Sequence, residues 1–163
     1  AEPALRIVEA VRTRYDGHKQ SPWNDVECGD HYVRAMASWA LLEAASGYRY
    51  DAGRAEIGFA PVLTPENYRA PFVARDGWGT FAQCVVGGTQ VETISPVWGS
   101  LTVKALRFRP QNVVQSAGVV VDDQSVSATL SQVSGKATIT LAKPITLRAG
   151  QVLEVTLLES DGH

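Results

Sequence analysis

The sequence lacks any long apolar segment. Its 163 residues contain no uninterrupted apolar run near the ~18 residues that a helix needs to cross a bilayer. The longest such runs are residues 39–42 and 119–121. We therefore expect a soluble protein without a membrane span, and whether it is cytoplasmic or exported stays open.

An excess of charge of one sign is also absent. Lys and Arg number 15 and Asp and Glu number 17, so the formal net charge is −2. Nucleic acids and anionic membranes attract strongly basic proteins. We therefore expect no nucleic-acid partner.

Cysteine and histidine are scarce. His31 has neither a neighbouring His nor a Cys pair, so we expect no metal site, and no cofactor motif is present. Cys28 and Cys84 allow at most one disulfide. Whether they pair or remain two buried free thiols stays open.

An initiator methionine is missing, since the chain begins at Ala1 and Met36 is its single methionine. We expect that upstream sequence has been removed and that the chain is a fragment.

Two helices are predicted in the first 50 residues. Leu5, Val8 and Val11 recur at three-residue steps within residues 4–15. Residues 31–45 are rich in alanine, with Asp30 as the N-cap and Gly47 after the end.

Short β-rich runs separated by turn residues follow. The predicted strands are residues 56–60, 72–74, 78–86, 90–94, 100–107, 118–121, 125–132, 136–141 and 151–158. Ser134-Gly135 and Ala149-Gly150 are predicted hairpin turns, and Gly77-Trp78-Gly79 and Gly87-Gly88 are interpreted as turns.

The predicted fold class is α+β: two N-terminal helices followed by an antiparallel, sandwich-like β region. The predicted domains are a helical segment (1–50) and a β-rich region (51–163), packed as one compact unit.

Most of the candidate chemistry lies between Ser21 and Arg34. Asp25 and Glu27 point to the same side if this segment is extended. Arg34 can then reach back to them from the following helix and keep a carboxylate ionised and oriented toward sugar hydroxyls. Trp23 or Tyr32 is the candidate platform for a sugar ring.

Structural alternatives remain for these residues. A buried ion pair among Asp25, Glu27 and Arg34 is as consistent with the spacing as a ligand site. His31, in a first helical turn, is either a structural hydrogen-bonding residue or a ligand contact, and Asp30 is interpreted as the helix cap.

Residues 21–39 (SPWNDVECGDHYVRAMASW) resemble the C-terminal portion of glycoside hydrolase family 116, the non-lysosomal glucosylceramidases and bacterial β-glucosidases. The resemblance continues through residues 46–51, 58–61, 64–69 and 77–83 and covers roughly residues 4 to 107. It implies that the helices derive from the end of an (α/α)₆ barrel and that both catalytic carboxyls lie upstream.

The resemblance also implies a sugar subsite formed by an acid and an arginine nine positions apart, the spacing of Asp25 and Arg34. Glutamate is expected at the first position, so Asp25 departs from the family pattern, and Glu27 is the alternative contact. The substrate-binding candidates are therefore Trp23, Asp25, Glu27, His31 and Arg34, with no catalytic residue in the chain.

The predicted function is that of a C-terminal β-glucosidase-like fragment that supplies subsite residues and is inactive alone. One alternative is a stand-alone carbohydrate-binding or interaction module, and another is an intact enzyme that uses Asp25 and Glu27 as its acid/base pair. The expected ligand is a β-glucoside or other sugar. We expect the β-rich region to cover the inner faces of the helices, and the alternatives are self-association and a missing N-terminal domain.

Overall fold

The computed structural model describes residues 2–19 and 32–160, without the side chains of residues 32–38. The helices are α1 (Glu2–Arg14) and α2 (Tyr32–Ser46). The strands are β1 (Arg49–Asp51), β2 (Glu56–Gly58), β3 (Asn67–Ala74), β4 (Gly77–Val86), β5 (Thr89–Phe108), β6 (Val114–Val121), β7 (Gln124–Ser125), β8 (Ala128–Val133), β9 (Lys136–Arg148) and β10 (Leu153–Glu159). Two helices followed by strands confirm the α+β class, while the sandwich arrangement and the barrel origin of the helices stay predictions.

The chain divides into two units, Ala1–Ala45 and Ser46–His163. We call the second the β unit. In the first, no residue of α1 is buried. No helix in the described ranges is long and apolar enough to cross a membrane.

The strands of the β unit form two sheets that share β5. Sheet A runs β1-β2-β5-β9-β8, with β2 and β5 parallel and the other pairs antiparallel. Sheet B is antiparallel throughout and runs β3-β4-β5-β10-β6-β7. Inward-facing side chains of both sheets form one hydrophobic core. Phe59 and Phe81 stack inside it with their ring centroids 3.8 Å apart.

Strand β5 passes from one sheet to the other along its length. Residues 89–94 pair with β10 in sheet B, and residues 100–103 pair with β9 in sheet A. Val97, Trp98 and Gly99 between these two halves are exposed. The sequence predicted two separate strands, 90–94 and 100–107, because this exposed stretch interrupts the alternation of buried positions.

The predicted turns have mixed outcomes. Ser134-Gly135 closes the β8–β9 hairpin with both φ angles positive, as a two-residue turn requires. Gly87-Gly88 joins β4 to β5 as predicted. Ala149-Gly150 does not close a hairpin, because β9 pairs with β5 and β8 whereas β10 pairs with β5 and β6.

Two interpretations of β4 were wrong. The run Gly77-Trp78-Gly79 lies inside the strand rather than in a turn. Cys84 is a free thiol, but it is exposed rather than buried because it lies on the outward side of the strand.

Candidate functional site

The sequence-predicted subsite falls largely outside the described residues. Trp23, Asp25, Glu27 and His31 all lie in residues 20–31, which the structure does not describe. Arg34 lies in the first turn of α2, and its side chain is among those not described. The grouping of these five residues therefore stays a prediction.

Within the β unit, two tryptophans lie side by side on the outer face of sheet B. Trp78 on β4 and Trp98 on β5 are cross-strand partners, and Val73 on β3 is the next partner in the same row. The exposed fractions are 61% for Val73, 47% for Trp78 and 64% for Trp98. We call these three residues the tryptophan row. Large apolar side chains exposed together are typical of a binding surface.

Alternation along β4 aims Trp78 outward. Gly77, Gly79, Phe81 and Gln83 are buried, so the residues between them face away from the core. This period-two pattern was the signal in the sequence that could have identified Trp78, but the two flanking glycines suggested a turn instead. Trp98 carried no comparable signal, because a register shift at this point of the β4–β5 pair breaks the alternation.

Glycines fix the backbone beneath the tryptophans. Gly99 has φ of 74°, and a Cβ there would meet the Asp76 carbonyl oxygen and lie 2.8 Å from the Gly77 Cα. A Cβ on Gly79 would lie 2.8 Å from the Pro96 Cα and 2.9 Å from the Phe72 ring. Such close approach leaves no room for a larger residue. The two strands are therefore held tightly together at the tryptophan row.

Polar groups stand next to this row in the β3–β4 turn. Arg75 and Asp76 form an exposed ion pair, with 3.6 Å between Arg75 Nε and Asp76 Oδ1. The turn is anchored to β5 because the Ser100 amide donates to the Asp76 carbonyl oxygen at 3.0 Å. An exposed guanidinium and carboxylate therefore lie within two residues of Val73 and Trp78, and such groups can form hydrogen bonds with sugar hydroxyls.

A second surface feature is an open groove of about 720 Å³ around the loop that precedes β6. The Gln132 side chain holds this loop by accepting from the Val114 amide at 2.8 Å and donating to the Asn112 carbonyl oxygen at 3.0 Å. The Glu159 carboxylate accepts from the Asn112 amide at 2.7 Å. Because these polar groups already bind the protein's own backbone, the groove is a weaker ligand-site candidate than the tryptophan row.

Within the described ranges, no group of three His, Cys, Asp or Glu residues is arranged to hold a metal ion.

Comparison with known proteins finds a structural likeness but no sequence match. No family model and no curated protein matches the sequence. Among solved structures, a GH127 β-L-arabinofuranosidase from Geobacillus stearothermophilus T6 is similar, with a TM-score of 0.43 and 16% identity. The match covers 68% of this chain and 16% of that protein.

Proposed function

We propose that the β unit is a carbohydrate-binding module and that Trp78 and Trp98 form its sugar-stacking platform. The observation that carries this proposal is the exposure of two tryptophans as direct cross-strand partners on a sheet surface. The indole faces would pack against the C–H face of a sugar ring, since both surfaces are apolar and flat. Arg75 and Asp76 would take the hydroxyl groups at its edge.

We further propose that the chain is the C-terminal part of a family-116-like β-glucosidase or glucosylceramidase. The support for this is the resemblance of several segments, in the same order along the chain, within residues 4 to 107. Asp25, Glu27 and Arg34 would add a second sugar contact, with Trp23 and His31 beside them. The catalytic carboxyls would belong to an upstream domain, so the chain alone would bind sugars without cleaving them.

The four tryptophans allow one experiment to separate these two sites. Indole N–H signals followed by NMR during titration with methyl β-glucoside and cellobiose report on each ring individually. We expect the signals of Trp78 and Trp98 to move. A shift confined to Trp23 would assign binding to the predicted subsite, and no shift at millimolar sugar would contradict both sites.

Trp98→Ala should weaken this binding on the order of tenfold, which corresponds to the loss of about one aromatic contact. Trp39→Ala is the matched control, because Trp39 is 60% exposed but lies on α2 in the other unit. Equal affinities of the two variants by calorimetry would count against the platform.

A further inference from the structure

Three polar side chains lie in the interior of the β unit. Gln83 on β4 and Gln90 and Glu92 on β5 are buried, and Glu92 has 0% of its surface exposed. Gln90 and Glu92 are two residues apart on one strand, so they point to the same side. Gln83 is the cross-strand partner of Glu92. The three side chains therefore form one group, which we call the buried polar cluster.

Hydrogen bonds within the cluster are incomplete. Gln90 Nε2 donates to Glu92 Oε1 at 2.5 Å and to Gln83 Oε1 at 3.5 Å, and Gln83 Nε2 donates to the Pro65 carbonyl oxygen. Gln90 Oε1 and Glu92 Oε2 are the two buried side-chain atoms of the described chain that have no hydrogen-bond partner. If Glu92 is ionised, both are acceptors without a donor. If Glu92 is neutral, its carboxyl O–H is a hydrogen-bond donor. The neighbouring side chain of Gln90 then offers Oε1 as an acceptor.

Among the described residues, no cation offsets a charge on Glu92. Across the sheet, the same row holds Tyr68, Gln83, Val155 and Val119, and Tyr68 is the one titratable group among these four. The buried polar and charged residues of the described chain contain no Lys, Arg or His; they are Ser46, Gln83, Gln90, Glu92 and Glu159. Burial removes water from the carboxyl group and raises the pKa of Glu92 to about 8, although the hydrogen bond from Gln90 acts in the opposite direction.

We propose that Glu92 is a neutral carboxylic acid in the folded β unit and that its ionisation weakens the fold as the pH rises, so that the β unit is stabilised by acid. The proposal depends on the buried polar cluster alone and does not rest on sugar binding. The stability of the β unit should fall as the pH rises, whereas a carboxylate whose ionised form is held by hydrogen bonds loses its stabilising effect as the pH falls. A charged Glu92 has to either stay buried without a counterion or open the sheet to water.

The direction follows from the two pKa values of Glu92, the ordinary 4.5 in the unfolded chain and about 8 in the folded one. Between these values the folded chain holds a proton that the unfolded chain has lost. The folding equilibrium constant therefore falls by about tenfold for each pH unit in this window. The stabilisation is complete below pH 4.5 and is lost as the pH rises through about 8.

Asp122 acts in the opposite direction. The Val152 amide and the Gln151 side chain donate to its carboxylate and lower its pKa below the ordinary 3.8. The stabilisation from Asp122 is lost only on acidification below that value. A comparison restricted to pH 5 to 9 therefore excludes the contribution of Asp122.

Urea unfolding of the full chain between pH 5 and 9 tests the proposal, with Glu92→Gln as the variant. The wild-type folding constant should fall by at least about a hundredfold from pH 5 to 8. Glu92→Gln should remove that fall. Glu154→Gln is the matched control, because Glu154 is an exposed glutamate on the adjacent strand, and it should behave like the wild type. Equal pH dependence in the wild type and Glu92→Gln would overturn the proposal.

A second measurement covers the case in which Glu92→Gln does not fold. In the wild-type chain, the side-chain carboxyl carbon of Glu92 can be assigned by ¹³C NMR through its bonds to the backbone and followed with pH. A titration well above pH 6 supports the neutral acid. A carboxyl that is already ionised at pH 6 overturns it.

Discussion

At the scale of the residue, Trp78 is exposed because its neighbours occupy the inward side of β4. Gly77 and Gly79 are buried on that side, at points where the strand lies too close to β5 for a Cβ. Trp98 is the cross-strand partner of Trp78 and lies between the exposed residues Val97 and Gly99. The backbone therefore fixes the outward direction of Trp78, and the strand register places Trp98 opposite it.

Gly99→Ala should destabilise the β unit by about 2–3 kcal/mol, since it combines a positive φ with a contact against the Asp76 carbonyl. Urea unfolding measures this. Gly118→Ala is the control, because Gly118 lies in β6 with open space around its Cβ position. It should change stability by well under about 1 kcal/mol. Similar losses in both variants would contradict the role given to Gly99.

At this scale, buried side chains could be predicted from the sequence where apolar and polar residues alternate strictly, but not where a buried residue is polar. The alternation in residues 137–141 predicted correctly which side chains are buried, because each strand there has one face toward the core. The cluster around Glu92 was not predicted. Gln90 and Glu92 occupy positions where alternation calls for apolar side chains, and their polarity concealed the inward face of the strand.

At the scale of the element, polar side chains form hydrogen bonds with backbone groups at places where the strand ladder is irregular or absent. Lys104 lies at a register shift between β5 and β9, and its Nζ donates to the Ala142 carbonyl oxygen at 2.8 Å. Gln132 similarly ties β8 to the loop before β6. These polar anchors satisfy backbone groups that the irregular ladder leaves open.

Gln132→Ala should loosen the start of β6. Loss of the bond to the Val114 amide should speed hydrogen exchange at that amide roughly five- to tenfold, as expected from about 1 kcal/mol per hydrogen bond. Exchange measured by NMR checks this residue by residue. Gln124→Ala, at an exposed position in β7, serves as the control. An unchanged exchange rate at Val114 in Gln132→Ala would show that the side chain does not hold the loop.

Elements were predictable from the sequence where periodicity was continuous. Both helices were located to within about two residues, since alanine-rich and amphipathic patterns are local signals. The continuity of β5 and the parallel β2–β5 pair were not predictable. Both features depend on strands that are distant in the sequence. A local pattern of residues does not indicate which sheet a strand joins.

At the scale of the whole molecule, the hydrophobic core of the described residues lies in the second unit. Every buried residue of the hydrophobic cluster lies between Ile57 and Leu157. Ser46 is the first residue with a structural role there, because its carbonyl oxygen accepts from the Ala60 amide at 2.9 Å. A chain that starts near this residue contains the hydrophobic cluster and all the strand pairs described for the β unit.

Residues 46–163 expressed alone should therefore fold and unfold in a single transition. If the tryptophan row is the binding site, this shorter chain should bind cellobiose as tightly as the full chain. Calorimetry of both proteins makes the comparison. Loss of binding in a shorter chain that is still folded would assign the site to the first 45 residues, where the predicted subsite lies.

The sharing of β5 between two sheets also has a consequence for synthesis on the ribosome. The first half of β5 can pair with β4 as soon as it emerges, but its other edge waits for β10, which is made much later. During that interval β5 carries an open strand edge and the exposed indole of Trp98, a combination that favours aggregation. The nascent chain is therefore most vulnerable just before β10 is made, and a chaperone that shields this edge would raise the yield of folded protein.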